Sequence, residues 1–591
     1  MDINTAIILA YFILLIAIGW IFRTFNTNTS DYFRAGGGAL WWMVGATAFM
    51  TQFSAWTFTG AAGKAYLDGF PIALMFTGNA VGYLLAYMYF AAKFRQLRIV
   101  TVMEGVRMRF GRASEQVFTW GGLPNQLLSG GIWLNGLAIV IAVVFDIDME
   151  TTIILTGLVV LVMSVTGGSW AVIASDYLQM VIIMVVCVIC SAVAVVQGGG
   201  VSEIVANFPV DDNGSFISGN NLNYLGIFSI WVVCIFFNQS IMLNNMTNAH
   251  RYLSAKDSIS AKNAALLAFG LMFAGIFIWF TPSWFIAGQG VDLYGVYPEY
   301  GNKAIDYAYI YFVKEYMPAG MLGLMVAAIF ASTMSSMDTG LNKSAGIFVR
   351  SFYLPILRPD ATEKELLTVS KIASTVCGLI IIAVALFMHS LKHMDLFNIT
   401  MTVASLIAFP TAIAPLLGMF IKNTPDWSAW ATLAVGAVVS YIVGFVLTPA
   451  DIEQWFSLGT LTAREWADIK VIAGVLGHLV ITGGFFVSTT LFYKPLSSER
   501  QKEVGEFFHN LATPVVNNSE QQGDLDKKQK NIIGKLMILS GGLIALMSII
   551  PNEAWGRLTY LSGGLVVLAV GYLMMARMKK SVQPDFSVAR N

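Results

Sequence analysis

Apolar runs of about 20 residues alternate with short polar segments along most of the chain, and about 20 is the length a helix needs to cross a bilayer. Fifteen spans are predicted, at roughly 5–23, 40–63, 69–92, 117–145, 151–168, 173–197, 223–247, 262–286, 317–342, 368–390, 395–421, 427–447, 468–491, 532–550 and 556–577. The polar positions inside these runs carry the most information. Ala331 to Ser344 reads ASTMSSMDTGLNKS. At helical period Ser332, Ser335, Ser336, Thr339 and Asn342 fall on one face, with Asp338 beside them. A hydroxyl stripe with a carboxylate is costly in hydrocarbon, so such residues face a bundle interior or an ion path. Hard oxygens converging in a dry place suit a small hard cation. The alternative is that the hydroxyls bond back to carbonyls of their own helix.

Two other runs are interrupted. Thr51, Gln52, Ser54 and Thr57 break the second span, AFMTQFSAWTFTGAAG. Asn238, Gln239, Ser240, Asn244, Asn245, Thr247 and Asn248 break the seventh, FFNQSIMLNNMTN. Each opens a group of five spans, 2–6 and 7–11, of opposite predicted orientation. Matched interruptions in inverted halves point to a substrate site near the bilayer midplane. A broken helix leaves amides and carbonyls that need an ion, a ligand or water. An amide-rich packing face between two spans is the other reading.

Composition agrees with a polytopic membrane protein: of 591 residues, 56% are hydrophobic and 12% charged. Net charge is zero, which gives no reason to expect nucleic acid as a partner. Basic residues concentrate in alternate loops: Arg23 and Arg34, then Lys93 to Arg112, Arg251 to Lys262, Arg350 to Lys364 and Lys494 to Lys530. The other loops carry Asp146 to Glu150, Asp211-Asp212 and Asp292 to Glu299. This places the N-terminus outside and the C-terminus in the cytoplasm, with a bacterial inner membrane as the expected location. The first run lacks a preceding basic region and reads as a retained span, not a signal peptide.

The four cysteines lie in apolar runs and read as small buried hydrophobes. No HExxH or GxSxG occurs, and the loops are too short for a separate enzyme domain. Segment 492–531 offers an amphipathic stretch, SERQKEVGEFFHNLATPV, suited to the membrane surface, and then a polar linker, NNSEQQGDLDKKQK. The last two spans read as an appendage.

Four stretches, in order, resemble the sodium:solute symporter family, which includes sodium–galactose, proline and sialic acid transporters. They are DYFRAGGGALWWMVGATAFMTQFSAWTFTG (Asp31 to Gly60), TGGSWAVIASDYLQ (Thr166 to Gln179), HRYLSAK (His250 to Lys256) and SSMDTGLNKSAGIF (Ser335 to Phe348). The family versions of the third and fourth read QR-x-LAAK and SS-x-x-x-x-LNS-x-AT-x-F. The resemblance implies an all-α membrane protein with a LeuT-type five-plus-five inverted repeat and extra flanking helices. The implied divisions are 1–30, an extra span; 31–200 and 201–425, the two repeats; 426–491, two peripheral spans; 492–531, a cytoplasmic linker; and 532–591, two final spans and a tail.

It also implies sodium as the coupling ion. The carried-over ligands are the carbonyls of Met50, Phe53 and Ser332 and the hydroxyls of Ser335 and Ser336. Asp176, Asp338 and Thr339 are the candidates for a second sodium, and a carboxylate at Asp338 departs from the family pattern, where hydroxyls are usual. Solute-binding candidates are Gln52, Ser54, Trp56, Thr57, Phe76, Asn79, Gln126 and Asn238, with Trp56 and Phe76 as walls. Phe76 and Met272 replace a glutamate and a lysine of the galactose member. Asn125, Gln126, Trp133 and Asn135 stand on the helix where sialic acid members have an arginine. A carboxylate solute then needs amides, helix N-termini or Lys64. The expected function is sodium-coupled import of a small polar solute, a sugar or a derivative such as a uronate. An amino acid or organic anion, a membrane-embedded enzyme and a transporter-like sensor stay open as alternatives.

Overall fold

The structure, a computed structural model, describes residues 3–22, 29–209, 224–391, 396–517 and 520–580. Arg23 and Asp211-Asp212, which contribute to the expected sidedness, lie outside the described residues. Among the described residues 13 helices are long and apolar enough to cross a membrane. Two expected spans complete the set. One is the shorter apolar helix Met149–Val165. The other is the second span, which the chain builds in three pieces, Trp41–Thr51, Ala55–Phe58 and Gly60–Asp68. Met149–Val165 runs on into Ser169–Gln197 as a 49-residue helical run. At 1.5 Å per residue that is about 74 Å, more than twice the hydrocarbon thickness, so a single straight crossing does not account for the run.

The hydroxyl-bearing helix, Met321–Ile347, is the mast of the bundle. In its apolar window 94% of residues are buried, and none of the other twelve long apolar helices exceeds 67%. It packs on Met149–Gln197, Ile3–Phe22, Leu123–Phe145 and Glu363–Ser390. Ala327, Ala328, Ala331 and Gly340 along it leave room for backbones to approach closely where no hydrophobic effect drives association in lipid.

Loop contacts sort into two faces. On one face Arg95 donates to the Ala255 carbonyl, Lys256 pairs with Asp526 at 2.9 Å, and Arg500 pairs with Asp426 at 2.9 Å. On the other, Asp68 pairs with Lys64 and Arg464, Tyr66 donates to the Val291 carbonyl, and Asn552 bonds Ala319. These groupings match the two sets of loops that charge assigns to opposite sides.

Three local expectations change. The seventh span is not broken at Asn238 to Ser240: helix Tyr224–Leu243 runs through them and ends only at Asn244. The amides explain this. Asn244 donates to the Ser240 carbonyl, Asn245 to those of Ile241 and Met242, and Asn248 to that of Met242. They satisfy the orphan carbonyls of the helix end without opening its middle. The stretch expected as a polar linker is helical from Glu520, in Glu520–Leu546. Gln522 and Gln529 hold it by donating to the Gly38 carbonyl at 3.1 and 3.0 Å. The amphipathic helix Ser498–Ala512 buries Val504, Phe507 and Leu511 and packs on Val102–Gly121, against protein as well as any lipid.

Candidate ion and solute site

The second span opens between Thr51 and Ala55, where Ser54 is fully extended (φ −147°, ψ −178°). An open turn inside the bundle leaves its own backbone only partly satisfied: Phe53 N–H still donates to the Met50 carbonyl at 3.2 Å, while the Ala55 amide looks outside the segment. The mast helix serves both. Ser336 donates to the Met50 carbonyl at 3.2 Å, and Thr333 accepts from the Ala55 amide at 2.9 Å. Ser332 instead bonds back to the Ile329 carbonyl of its own helix. Ser335 and Phe53 are both buried, and the Ser335 hydroxyl has no hydrogen-bond partner among the described residues. The Met50 and Thr51 carbonyls of the broken helix, 3.2 and 3.5 Å from the Ser336 hydroxyl, make an all-oxygen environment of the type hard cations take.

One turn further in lies a charged knot. Asp176 is fully buried, accepts from the Thr47 hydroxyl, and stands 4.0 Å from the Arg251 guanidinium. Arg251 also donates to Thr339. The Ser335 hydroxyl faces the same carboxylate without reaching hydrogen-bond geometry. Asp338 takes a different partner, the Ser164 hydroxyl. The residues expected around a second ion are thus divided: Asp176 and Thr339 share Arg251, and Asp338 is bonded to the Met149–Gln197 helix.

Beside the break lies a cavity of about 270 Å³. Gln52, Ser54, Trp56, Phe76, Asn79, Gln126 and Asn238 line it; Thr57 is buried but off the wall. Asn79 and Asn238 are buried, and Asn79 Oδ1 and Asn238 Nδ2 have no hydrogen-bond partner among the described residues. They present one acceptor and one donor. Trp56 is stacked between Phe76 (6.2 Å, 18°) and Phe397 (6.1 Å, 17°). Phe397 lies on the far side of this stack with Lys64, whose ammonium is 2.8 Å from Asp68 and 5.3 Å from the ring. Lys64 therefore belongs to an aromatic and ionic lid, not to the cavity. Away from the lid the cavity continues past Thr247, Asn248, His250 and Arg251 to Lys343.

Asn125 and Trp133 also line the cavity, while Asn135 is spent on the Ala385 carbonyl and Met272 is buried elsewhere. Thr333, Phe397, Lys343 and Arg251 were not picked out as site residues from sequence. Thr333 lies off the polar face of its helix. Phe397 sits in an ordinary apolar run, and both lysine and arginine stand at span ends where basic residues are commonplace.

The family model "Sodium:solute symporter family" matches residues 32–444. The sheep sodium/glucose cotransporter 1 is 23% identical over 90% of this chain and 83% of its own. The rat sodium/myo-inositol cotransporter 2 is 25% identical over 76% of this chain and 72% of its own. A substrate-bound, outward-open Na+-coupled sialic acid symporter shares the fold, with a TM-score of 0.64, 19% identity, and coverage of 84% of this chain and 99% of that one. The protein is a multi-pass membrane transporter and not an enzyme, its coupling ion is sodium, and the chain belongs to the sodium:solute symporter family.

Proposed function

We infer that the protein carries a small polyol-like solute, a sugar or a derivative such as a uronate, inward with sodium. The N-terminus is outside, the C-terminus is cytoplasmic, and the membrane is a bacterial inner membrane. The observation that carries the solute reading is the pair Asn79 Oδ1 and Asn238 Nδ2, buried and unpartnered on a wall shared with the Trp56 and Phe76 rings. A polyol offers hydroxyls that both donate and accept, and a ring face that packs on aromatics. Similarity to glucose and myo-inositol cotransporters supports the same class.

Sodium is held by the carbonyls of Met50, Phe53 and Ser332 with the hydroxyls of Ser335 and Ser336. Ser336 donates its proton to the Met50 carbonyl, which sets the hydroxyl beside a carbonyl of the same site. Binding the ion turns that hydroxyl oxygen from donor to ligand and couples the broken helix to the mast through a charge. Solute then binds on the adjacent face of the same break, and rocking of the bundle exposes both to the cytoplasm. The membrane potential adds about 2.3 kcal/mol per net charge per 100 mV.

A panel of radiolabelled hexoses, inositols, uronates and amino acids, offered to proteoliposomes with and without a sodium gradient, tests the reading. Gradient-driven, electrogenic uptake of a polyol is expected; uptake of an amino acid alone, or uptake blind to sodium, overturns it. Ser335→Ala with Ser336→Ala raises the sodium concentration for half-maximal uptake by about tenfold, the loss of roughly 1.4 kcal/mol. An unchanged value means that the ion sits elsewhere.

A further inference from the structure

The cavity wall carries no carboxylate; its ionisable residues are His250, Arg251 and Lys343. Arg251 is committed to Asp176 and Thr339, so its charge is offset. Lys343 is half-buried, and no carboxylate lies within ion-pair distance of it among the described residues. It also borders a second, apolar cavity of about 550 Å³ that shares Asn125, Gln126 and Thr247 with the first, and that wall too lacks an acid. A lysine ammonium inside a bundle, facing two cavities with no counter-charge on either, is costly and in a membrane protein marks a ligand path by default.

Its position along the mast is informative. Ser336, Gly340 and Lys343 all line the first cavity, and at helical spacing they form one stripe. From Ser336 to Lys343 the rise is about 10 Å, the scale of a hexose with its substituents. Gly340 lets the Gln126 amide lie against the helix: a Cβ there would stand 2.1 Å from Gln126 Nε2. The amide is thereby seated one turn above the ammonium, with Asn125 alongside on the wall. Two amides beside a lone cation form a receptor for a carboxylate, which accepts up to four hydrogen bonds in addition to the charge. The family pattern SS-x-x-x-x-LNS has serine at this position, and this chain departs from it with a cation.

We propose that the transported solute is a sugar acid of the hexuronate class, and that Lys343, with the Asn125 and Gln126 amides, receives its carboxylate on the cytoplasmic side of the sodium site. This rests on the polyol reading above and adds the charge of the solute. With one sodium per hexuronate the cycle moves no net charge; electrogenic uptake then requires a second sodium.

The test uses purified full-length protein in proteoliposomes, with labelled D-galacturonate and D-glucuronate set against D-galactose and D-glucose. Each uronate is expected to compete at a concentration about tenfold or more below its parent hexose, the value of one charge-assisted hydrogen bond. Lys343→Gln removes that preference, and Lys343→Arg keeps most of it. Equal or reversed preference in the unmodified protein overturns the proposal, as does failure to take either uronate or a preference that survives in Lys343→Gln. The unmodified protein decides the point even where a variant fails to fold. Sodium-driven hexose uptake without a uronate preference defeats this proposal and leaves symport standing. A Lys343-dependent uronate preference that ignores the sodium gradient defeats symport and leaves this proposal standing.

Discussion

The first helices of the two repeats carry the same kind of polar interruption and answer it in opposite ways. At Thr51 to Ser54 the helix opens; the Met50 carbonyl keeps the Phe53 amide and is joined by Ser336 of a different helix, and the Ala55 amide is served by Thr333 of that helix. At Asn238 to Ser240 the helix stays intact, and the amides that follow bond its own last carbonyls. Asparagine side chains reach back one turn and cap the chain they belong to. Gln52 and Ser54 make no such local repair of the break beyond the Ser54 cap of the next short helix. The difference has a functional consequence. A helix closed by its own residues is a fixed wall, whereas one closed by a neighbour depends on where that neighbour stands and can be rebound by an ion.

The largest effect is expected where the two helices are tied together. Thr47 on the broken helix and Arg251, just after the intact one, meet at Asp176. Asp176→Asn leaves the buried guanidinium without its counter-ion, at a cost of about 3 kcal/mol. The thermal unfolding midpoint in detergent should drop by several degrees, and adding Arg251→Gln should cost less than the sum of the two single changes. A drop equal to the sum would mean that the pair does not join the halves.

Thr333→Val comes next. It keeps the shape but strands the buried Ala55 amide, which costs about 1–3 kcal/mol. Because that amide begins the second half of the broken helix, the apparent sodium affinity should weaken together with stability. Stability lost at unchanged sodium affinity would make the cap purely structural. Asn248→Ala removes one bond to the Met242 carbonyl, worth about 1 kcal/mol. On the self-capped helix it should lower the unfolding midpoint slightly and leave sodium dependence alone; a sodium effect of the size of that for Thr333→Val would erase the contrast. The smallest stability change is expected for Gly340→Ala, about 0.5 kcal/mol. The flexible Gln126 amide can swing away. Its displacement should show in solute competition and not in the melting curve.

The approximate number of spans, the grouping of loops on two faces, and the hydroxyl stripe of Met321–Ile347 were legible in sequence because lipid imposes them locally. Any 20-residue apolar run must satisfy its own backbone, and any polar stripe within it must face inward. Seven of the eight solute-site residues expected from sequence do line one cavity, Thr57 being the exception. Those residues were legible through the family resemblance, and for Gln52, Ser54, Asn79, Gln126 and Asn238 polar character inside an apolar run is a signal besides. Phe397 gave no such signal, since an aromatic residue in a span is equally at home in lipid, in a core or in a lid. Thr333 was hidden because its task is set by an amide 278 residues away.

The sequence by itself determined that this chain crosses a membrane many times, and it contained the motifs of the sodium:solute symporters. Those features depend on local hydropathy and on short motifs. Only the tertiary structure decided which interruption is a break and which is a wall. It also decided that Arg251 is offset by Asp176 while Lys343 is not, and that Lys64 serves the lid. The break and the contrast between Arg251 and Lys343 turn on whether a partner from a distant part of the chain arrives within hydrogen-bond or ion-pair distance; the wall and Lys64 turn on local partners, the amides after Leu243 and Asp68. Inside a bilayer an unmet polar group costs several kcal/mol, so the arrival of that partner determines each residue's role.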